Sequence, residues 1–231
     1  GNRIIVIEGV DGLHGTTFTI GPDRNEIVTF AAASILTKGD VLIEDANKVD
    51  ISEFLKDMKN IGAGVEKKKN GIRFFYKGPI KSKSIVTSFY PGFMTDWQGP
   101  WAVLMTQAVG DSIIHETVYE NRFGYADELK KMGAEIDFFN PQVEDLEKVY
   151  NFNLIDRKSN YYHAIKIHGP TALHNAVVTV SDLRAGATLV LGGLAAIGEN
   201  VIFGAEIIDR GYENFEKRLE ALGANIKRVK D

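Results

Sequence analysis

A single pattern recurs three times along this chain. Lys38-Gly39-Asp40-Val41-Leu42-Ile43, Val109-Gly110-Asp111-Ser112-Ile113-Ile114 and Ile197-Gly198-Glu199-Asn200-Val201-Ile202 each give a glycine, an acidic residue and an apolar run. A glycine in the left-handed conformation commonly follows the last turn of a helix, so each match reads as a helix end followed by a strand. A second glycine comes in Ile61-Gly62-Ala63-Gly64-Val65, Met132-Gly133-Ala134-Glu135-Ile136 and Leu222-Gly223-Ala224-Asn225-Ile226. It stands 23, 23 and 25 residues after the first. Repeats of this kind mean that several similar units share one core.

Each interval carries an amphipathic helix, with apolar stripes at Phe54, Leu55 and Met58, at Leu129 and Met132, and at Phe215, Leu219 and Leu222. A further helix precedes each first glycine, near residues 26–36, 98–108 and 185–196. Strand pairs precede those helices. The clearest span 4–20 and 164–180 and share I-x-I-x-G-x-x-x-L, written Ile5, Ile7, Gly9, Leu13 and Ile165, Ile167, Gly169, Leu173. The expected fold is therefore α/β. Three strand-helix-strand-helix-strand repeats (about 22–71, 72–160 and 161–231) surround shared helices with pseudo-threefold symmetry, because one unit alone cannot bury both faces of its sheet.

Composition removes several function classes. The 231 residues include no cysteine, so disulfides, thiolate metal sites and Cys nucleophiles are excluded. The net charge of −4 argues against a nucleic-acid partner. The basic run Lys67 to Lys69 reads as a solvated turn before Asn70-Gly71. No apolar run is long enough to span a membrane; Ala185 to Ile197 is too short and is broken by Gly192-Gly193, which reads as a close-packing pair. His14, His115, His163, His168 and His174 show no metal-ligand spacing and read as structural or surface residues; no metal or cofactor is implied.

Chemistry is most plausible where the repeats align charged residues. Asp23, Asp96 and Asp182 each stand at the start of a first helix. Aspartate there is a favoured N-cap, and three helix starts at one end would also attract phosphates and carboxylates. Both readings stay open. Arg122 and Arg210 each lie 12 residues after their unit's first glycine, where the first unit has Ile51. Arg184 adds a guanidinium beside Asp182. Such forks suit bidentate contact with phosphate or carboxylate; pairing with Glu120, Asp209 or Glu213 is the competing reading.

Tyr90-Pro91-Gly92-Phe93-Met94-Thr95-Asp96, Glu116-Thr117-Val118-Tyr119-Glu120-Asn121-Arg122-Phe123, Ser181-Asp182-Leu183-Arg184-Ala185 and Ile208-Asp209-Arg210-Gly211-Tyr212-Glu213 run in the order seen in one known family. With the closing Leu222 to Ile226, they make the chain resemble the UDP-N-acetylglucosamine 1-carboxyvinyltransferases along essentially its whole length. The resemblance implies an enolpyruvyl transferase-like inside-out α/β barrel domain. It implies transfer of the enolpyruvyl group of phosphoenolpyruvate to the 3′-hydroxyl of UDP-N-acetylglucosamine, in the cytoplasm, for peptidoglycan synthesis. It places Asp96 at that hydroxyl as base and Val118 against the sugar nucleotide through its backbone. Arg184 and Arg210 would face phosphoenolpyruvate, and Arg122 and Asp182 would line the same cleft.

The sequence departs from the family pattern at Met94, where proline is usual, and at Gly99-Pro100-Trp101. The family's Lys-Asn pair and its loop with a proton-donating Cys have no counterpart here. With the start at Gly1 rather than Met, the expectation is the C-terminal half of a longer enzyme, holding half an active site and not competent alone. Residues 1–21 would then be a crossover strand pair belonging to the absent half and 22–231 the domain proper. Residues 4–20 would fold back onto this domain or exchange with a second copy in a homodimer. The alternative is a non-catalytic paralogue that binds a sugar nucleotide or a partner.

Overall fold

The computed structural model describes residues 6–156 and 158–229. In chain order the elements are α1 (Arg24–Leu36), β1 (Asp40–Glu44), α2 (Ser52–Asn60), β2 (Gly64–Lys68), β3 (Gly71–Phe75), β4 (Ile85–Val86), α3 (Gln98–Thr106), β5 (Gly110–His115) and α4 (Gly124–Lys131). They continue as β6 (Glu135–Phe139), α5 (Leu146–Val149), β7 (Ala164–Gly169), β8 (Val177–Thr179), α6 (Leu183–Ala195), β9 (Val201–Phe203), α7 (Ala205–Ile208) and α8 (Phe215–Ala221).

Helices α1, α3 and α6 pack on one another in the middle of the molecule. They are buried almost all round: every residue of α3, Ile27 to Ile35 of α1 and Ala185 to Gly192 of α6. A helix apolar on all sides needs neighbours on all sides, and the threefold arrangement supplies them. By contrast α2, α4 and α8 bury one stripe each, through Phe54, Leu55 and Met58, through Tyr125, Ala126 and Leu129, and through Phe215 and Leu219. Two close approaches set the helix spacing. A Cβ on Gly192 would lie 3.0 Å from Leu129 Cδ2, so this glycine lets α6 pack on α4, whereas a Cβ on Gly193 would meet only Asn200 Cβ, at 3.7 Å. A Cβ on Gly99 would lie on Thr188 Oγ1, so α3 and α6 touch through that glycine. Pro100 follows in the first turn of α3, where a missing N–H costs nothing.

Strands do not stay with the unit that begins them. In the first sheet, ordered β1-β3-β2, the antiparallel centre β3 comes from the start of the second unit. In the second, ordered β4-β5-β7-β6, the antiparallel centre β7 comes from the start of the third, and β4 runs parallel to β5. Among the described residues the third sheet has only β8 and β9, parallel. Lys67 to Lys69 sits at the β2–β3 hairpin.

Three expectations need correction. The strand expected after Gly223 does not form: residues 224–229 carry no ladder, because no central strand lies beside them to accept their bonds. Among residues 6–20 the expected strand pair is also absent. Val6, Ile7, Val10, Leu13, Phe18 and Ile20 are largely exposed, and Ile4 and Ile5 lie outside the described residues. Finally, the first glycines are not equivalent. Gly110 and Gly198 take positive φ (105° and 97°), but in the first unit Lys38 does so (φ 55°) one residue early. Gly62, Gly133 and Gly223 behave alike, at φ 95°, 93° and 99°.

Candidate active site at the helix N-termini

The three aspartates that align in sequence differ in what they bond. Asp23 caps α1, its Oδ1 accepting from the Asn25 amide at 2.7 Å. Asp182 caps α6 more fully, accepting from the amides of Arg184 (2.8 Å) and Ala185 (3.0 Å). Asp96 caps nothing. It sits in a single 3-10 turn, Thr95–Trp97, that precedes α3, and its carboxylate turns away from the helix.

Burial of its neighbours holds this turn. Trp97 is buried, and Phe93, Trp97, Trp101 and Phe54 form one cluster with ring centroids 5.4–6.4 Å apart, mostly edge to face. Asp96 is thus displayed between two anchored aromatics, at a helix start that no side chain caps.

Its oxygens face two guanidiniums. Arg122 NH2 donates to Oδ1 at 2.5 Å, and Arg184 Nε lies 3.4 Å from Oδ2. All three side chains are roughly one-fifth to one-quarter exposed, at 27%, 21% and 19% for Asp96, Arg122 and Arg184. Arg122 also stacks over the Tyr119 ring, 4.9 Å from its centroid. Arg184 donates to the Tyr212 hydroxyl at 3.3 Å, and that hydroxyl meets Thr29 Oγ1 at 2.9 Å. Burial works against the charge of Arg184, but Tyr212, Asp96 and Asp23 around it outweigh this and raise its pKa. The Tyr212 phenol is pushed up by burial, partly offset by Thr29 and Arg184. Arg184 therefore stays a fixed cation among all three helix starts.

Asp96, Arg122, Asp182 and Arg184 line one small open cleft together with Gly99, Thr188 and Tyr125. Four of the six residues marked in the sequence are thereby brought together. Arg210 is not among them: it is exposed beyond α7, two residues before the Tyr212 that holds Arg184. Val118 is half-buried, and its amide already donates to Glu116 Oε1 at 2.6 Å, which leaves its carbonyl as the backbone group to offer a ligand. Among the described residues neither Arg122 nor Arg184 pairs with Glu120, Asp209 or Glu213; Asp209 pairs with Arg228 at 2.6 Å instead.

Sequence reasoning passed over Glu116. It is 1% exposed and collects four donors. Oε1 accepts from the amides of Val118 and Tyr119 (2.6 and 2.9 Å), and Oε2 from Thr95 Oγ1 (2.7 Å) and Gln98 Nε2. Gln98 Oε1 accepts in turn from the Tyr125 hydroxyl at 3.1 Å. The phenol of Tyr125 is pushed well up, by burial first and then by the charge of Glu116. The signal in the sequence was an acidic residue directly after a strand of Ile113, Ile114 and His115, where a buried carboxylate must have partners.

A sequence model of the family described as EPSP synthase (3-phosphoshikimate 1-carboxyvinyltransferase) matches residues 1–219. Among curated proteins, the UDP-N-acetylglucosamine 1-carboxyvinyltransferase of Protochlamydia amoebophila is 40% identical over 231 residues, all of this chain and 48% of that protein. The enzyme of the same name from Halothermothrix orenii is 39% identical over 230 residues and half of its own length. The chain thus spans about half the length of the curated relatives it matches. Among solved structures, the enolpyruvyl transferase NikO from Streptomyces tendae covers 91% of the chain with a TM-score of 0.73 at 24% identity, using 45% of its own length. An EPSP synthase from Acinetobacter baumannii covers 92% at TM-score 0.59 and 17% identity. At those identities the likeness concerns the fold.

Proposed function

The chain belongs to the EPSP synthase family, and on that premise we propose that it supplies the C-terminal half of a cytoplasmic enolpyruvyl transferase acting on UDP-N-acetylglucosamine and phosphoenolpyruvate in peptidoglycan synthesis. The observation that carries this reading is the Asp96 carboxylate, displayed at an uncapped helix start and held between Arg122 and Arg184. A sugar hydroxyl is a poor nucleophile until its proton is taken, and a positioned carboxylate does this. Asp96 accepts the proton of the 3′-hydroxyl as its oxygen bonds to C2 of phosphoenolpyruvate and the C3 methylene takes a proton; loss of a C3 proton then re-forms the double bond and expels phosphate. Arg184, with Arg122 and the outlying Arg210, balances the carboxylate and phosphate charge. Asp182 holds the α6 turn that carries Arg184, and the Val118 carbonyl meets the sugar nucleotide. Each Asp96 oxygen meets one guanidinium and keeps a further lone pair, so it can accept the hydroxyl proton without displacing either arginine.

Asp96, Arg122, Asp182 and Arg184 make one wall of a cleft. The half-length match to relatives supports a second half, in the same polypeptide or another, that supplies the opposite wall. The test is phosphate release from the two substrates with this chain alone and then with a separately produced N-terminal half. Release only in the mixture, lost on Asp96→Ala, is the expected outcome. Release by the chain alone would refute the claim that it is half a site. Tight binding of UDP-N-acetylglucosamine with no turnover in any mixture would favour the non-catalytic, sugar-nucleotide-binding reading, which the arginine-occupied Asp96 also accommodates.

The unfilled third sheet bears on partners. In both other sheets an antiparallel strand fills the centre, and β5 and β9 each have a parallel neighbour where β1 has none. Val178 pairs with Ile202, and Phe18 stands at the same separation from Leu42. Residues 4–20 therefore match both edges in a strand-exchanged homodimer, unless the other half of the enzyme fills them. Sedimentation of the chain with and without residues 1–21 decides: a dimer only with the segment supports exchange, and monomers in both refute it.

A further inference from the structure

We propose that Glu116 is the positioning residue of this site, a buried carboxyl that fixes the Asp96 turn against the Val118 turn. This rests on the reading of Asp96 as base and of Val118 as a sugar contact. The two turns lie on different connections: residues 95–97 lead into α3, and residues 117–119 leave β5. Glu116 bridges them with one oxygen on each. Oε2 takes Thr95 and Gln98, the neighbours of Asp96 and Trp97, while Oε1 takes two consecutive amides, of Val118 and Tyr119. Arg122, the partner of Asp96, follows on the same connection. One side chain thereby sets the distance between base, cation and the Val118 carbonyl.

The chemistry of the four partners makes the carboxyl hard to replace. Backbone amides can only donate, so Oε1 must remain an acceptor. Gln98 could present its oxygen instead of its nitrogen, but it would then lose the bond from the buried Tyr125 hydroxyl. A glutamine at 116 keeps the span and disturbs the Thr95–Gln98 side. An aspartate keeps both acceptor oxygens, yet is one methylene too short to reach both turns.

The test compares Glu116→Asp, Glu116→Gln and Asp96→Asn in the full chain. Amide hydrogen exchange reads the bridge directly, with no need for turnover. In Glu116→Asp we expect the Val118 and Tyr119 amides to exchange at least about tenfold faster, with the amides of β5 and α3 unchanged; loss of a buried acceptor of ~1.4 kcal/mol corresponds to that factor. In the enzyme completed with its other half, kcat should fall about 100-fold and KM for the sugar nucleotide rise, with KM for phosphoenolpyruvate unchanged; a shift of about 1 Å in a reacting group has that effect. Glu116→Gln should lie between the wild type and Glu116→Asp. Unaltered exchange at Val118 and Tyr119 overturns the proposal, and so does loosened exchange with unaltered kcat. If Asp96→Asn retains turnover, the assignment of the base has failed, while the exchange result still judges the bridge.

Discussion

Asp96 and Asp182 begin equivalent helices of equivalent repeats, yet only one of them caps. Asp182 turns inward and accepts two amides of α6; Asp96 turns outward and meets two guanidiniums. The difference comes from one turn of 3-10 helix. In the second unit that turn moves Asp96 off the cap position and leaves Trp97 there instead. An aspartate is free for chemistry when burial of its neighbours, rather than its own hydrogen bonds, holds the helix start. Phe93, Trp97 and Trp101 do this for α3, whereas the start of α6 is held by the bonds of Asp182 itself.

Asparagine gives the sharpest way to break this contrast, because it caps as well as aspartate but takes no proton. Asp96→Asn should lower turnover of the completed enzyme by about 10²- to 10⁴-fold, the usual contribution of a positioned base. Asp182→Asn should leave its cap bonds and thermal midpoint unchanged and affect turnover far less. Equal losses at the two positions, in a phosphate-release assay alongside thermal melts, would show that the caps and the base are not distinct.

The next effect concerns how α3 and α6, which carry the two aspartates, are held together. Gly99→Ala places a methyl on Thr188 Oγ1 and should cost about 1–3 kcal/mol, as overpacking does. Adding Thr188→Ala removes the hydroxyl and leaves the new methyl 3.3 Å from the Cβ of residue 188, so much of the loss should return. Chemical denaturation of the single and double variants measures this. An unaltered single variant would mean that the helices separate freely and that the site geometry does not depend on their contact.

Smaller again is the cap itself. Asp182→Ala should cost about 1 kcal/mol, or roughly 2–4 °C of thermal midpoint in a chain this long. Asp23→Ala, which removes a single cap bond, should cost less.

The repeat made the fold legible because glycine spacing and apolar stripes are local properties. Gly62, Gly133 and Gly223 share one backbone conformation, and the stripes on α2, α4 and α8 are the faces that are buried, except that Leu222, expected in the third stripe, lies past the end of α8 and is 56% exposed. Strand exchange between units was not legible, since β3 and β7 take partners from the preceding unit and no local signal records that. In the candidate site, Asp96, Arg122 and Asp182 were marked by alignment of the repeats and Arg184 by its place beside Asp182. Their separation into caps and a carboxylate–guanidinium cluster was not, because capping and exposed aspartates look alike in sequence. Glu116 was missed for a related reason. Its four partners lie on two connections, and its burial depends on a tertiary contact between them.

The weakest effect expected lies far from the cleft, where a charged cluster is exposed rather than sheltered like Asp96. On the second sheet His168 of β7 stands between Asp137 of β6 (Nε2 to Oδ2, 2.9 Å) and Asp111 of β5 (Nδ1 to Oδ1, 3.0 Å), with Lys166 also on Asp111. The hydrogen bond with Asp137 raises its pKa most, followed by that with Asp111, while partial desolvation and the charge of Lys166 oppose them. A histidine whose folded pKa lies above its unfolded value stabilises the fold fully below the unfolded value, near 6.5. That contribution is lost as pH rises through the folded pKa. The thermal midpoint should therefore show a small decline from about pH 6 to pH 8 that vanishes in His168→Gln. Solvent screening keeps it small, because exposed pairs contribute little, and added salt should shrink it further. The Asp96 cluster, less exposed, should lose much less of its electrostatic interaction in the same salt. If salt weakens both clusters equally, the contrast between sheltered and exposed carboxylates fails, and with it the reason for placing chemistry at Asp96 rather than at any other paired aspartate.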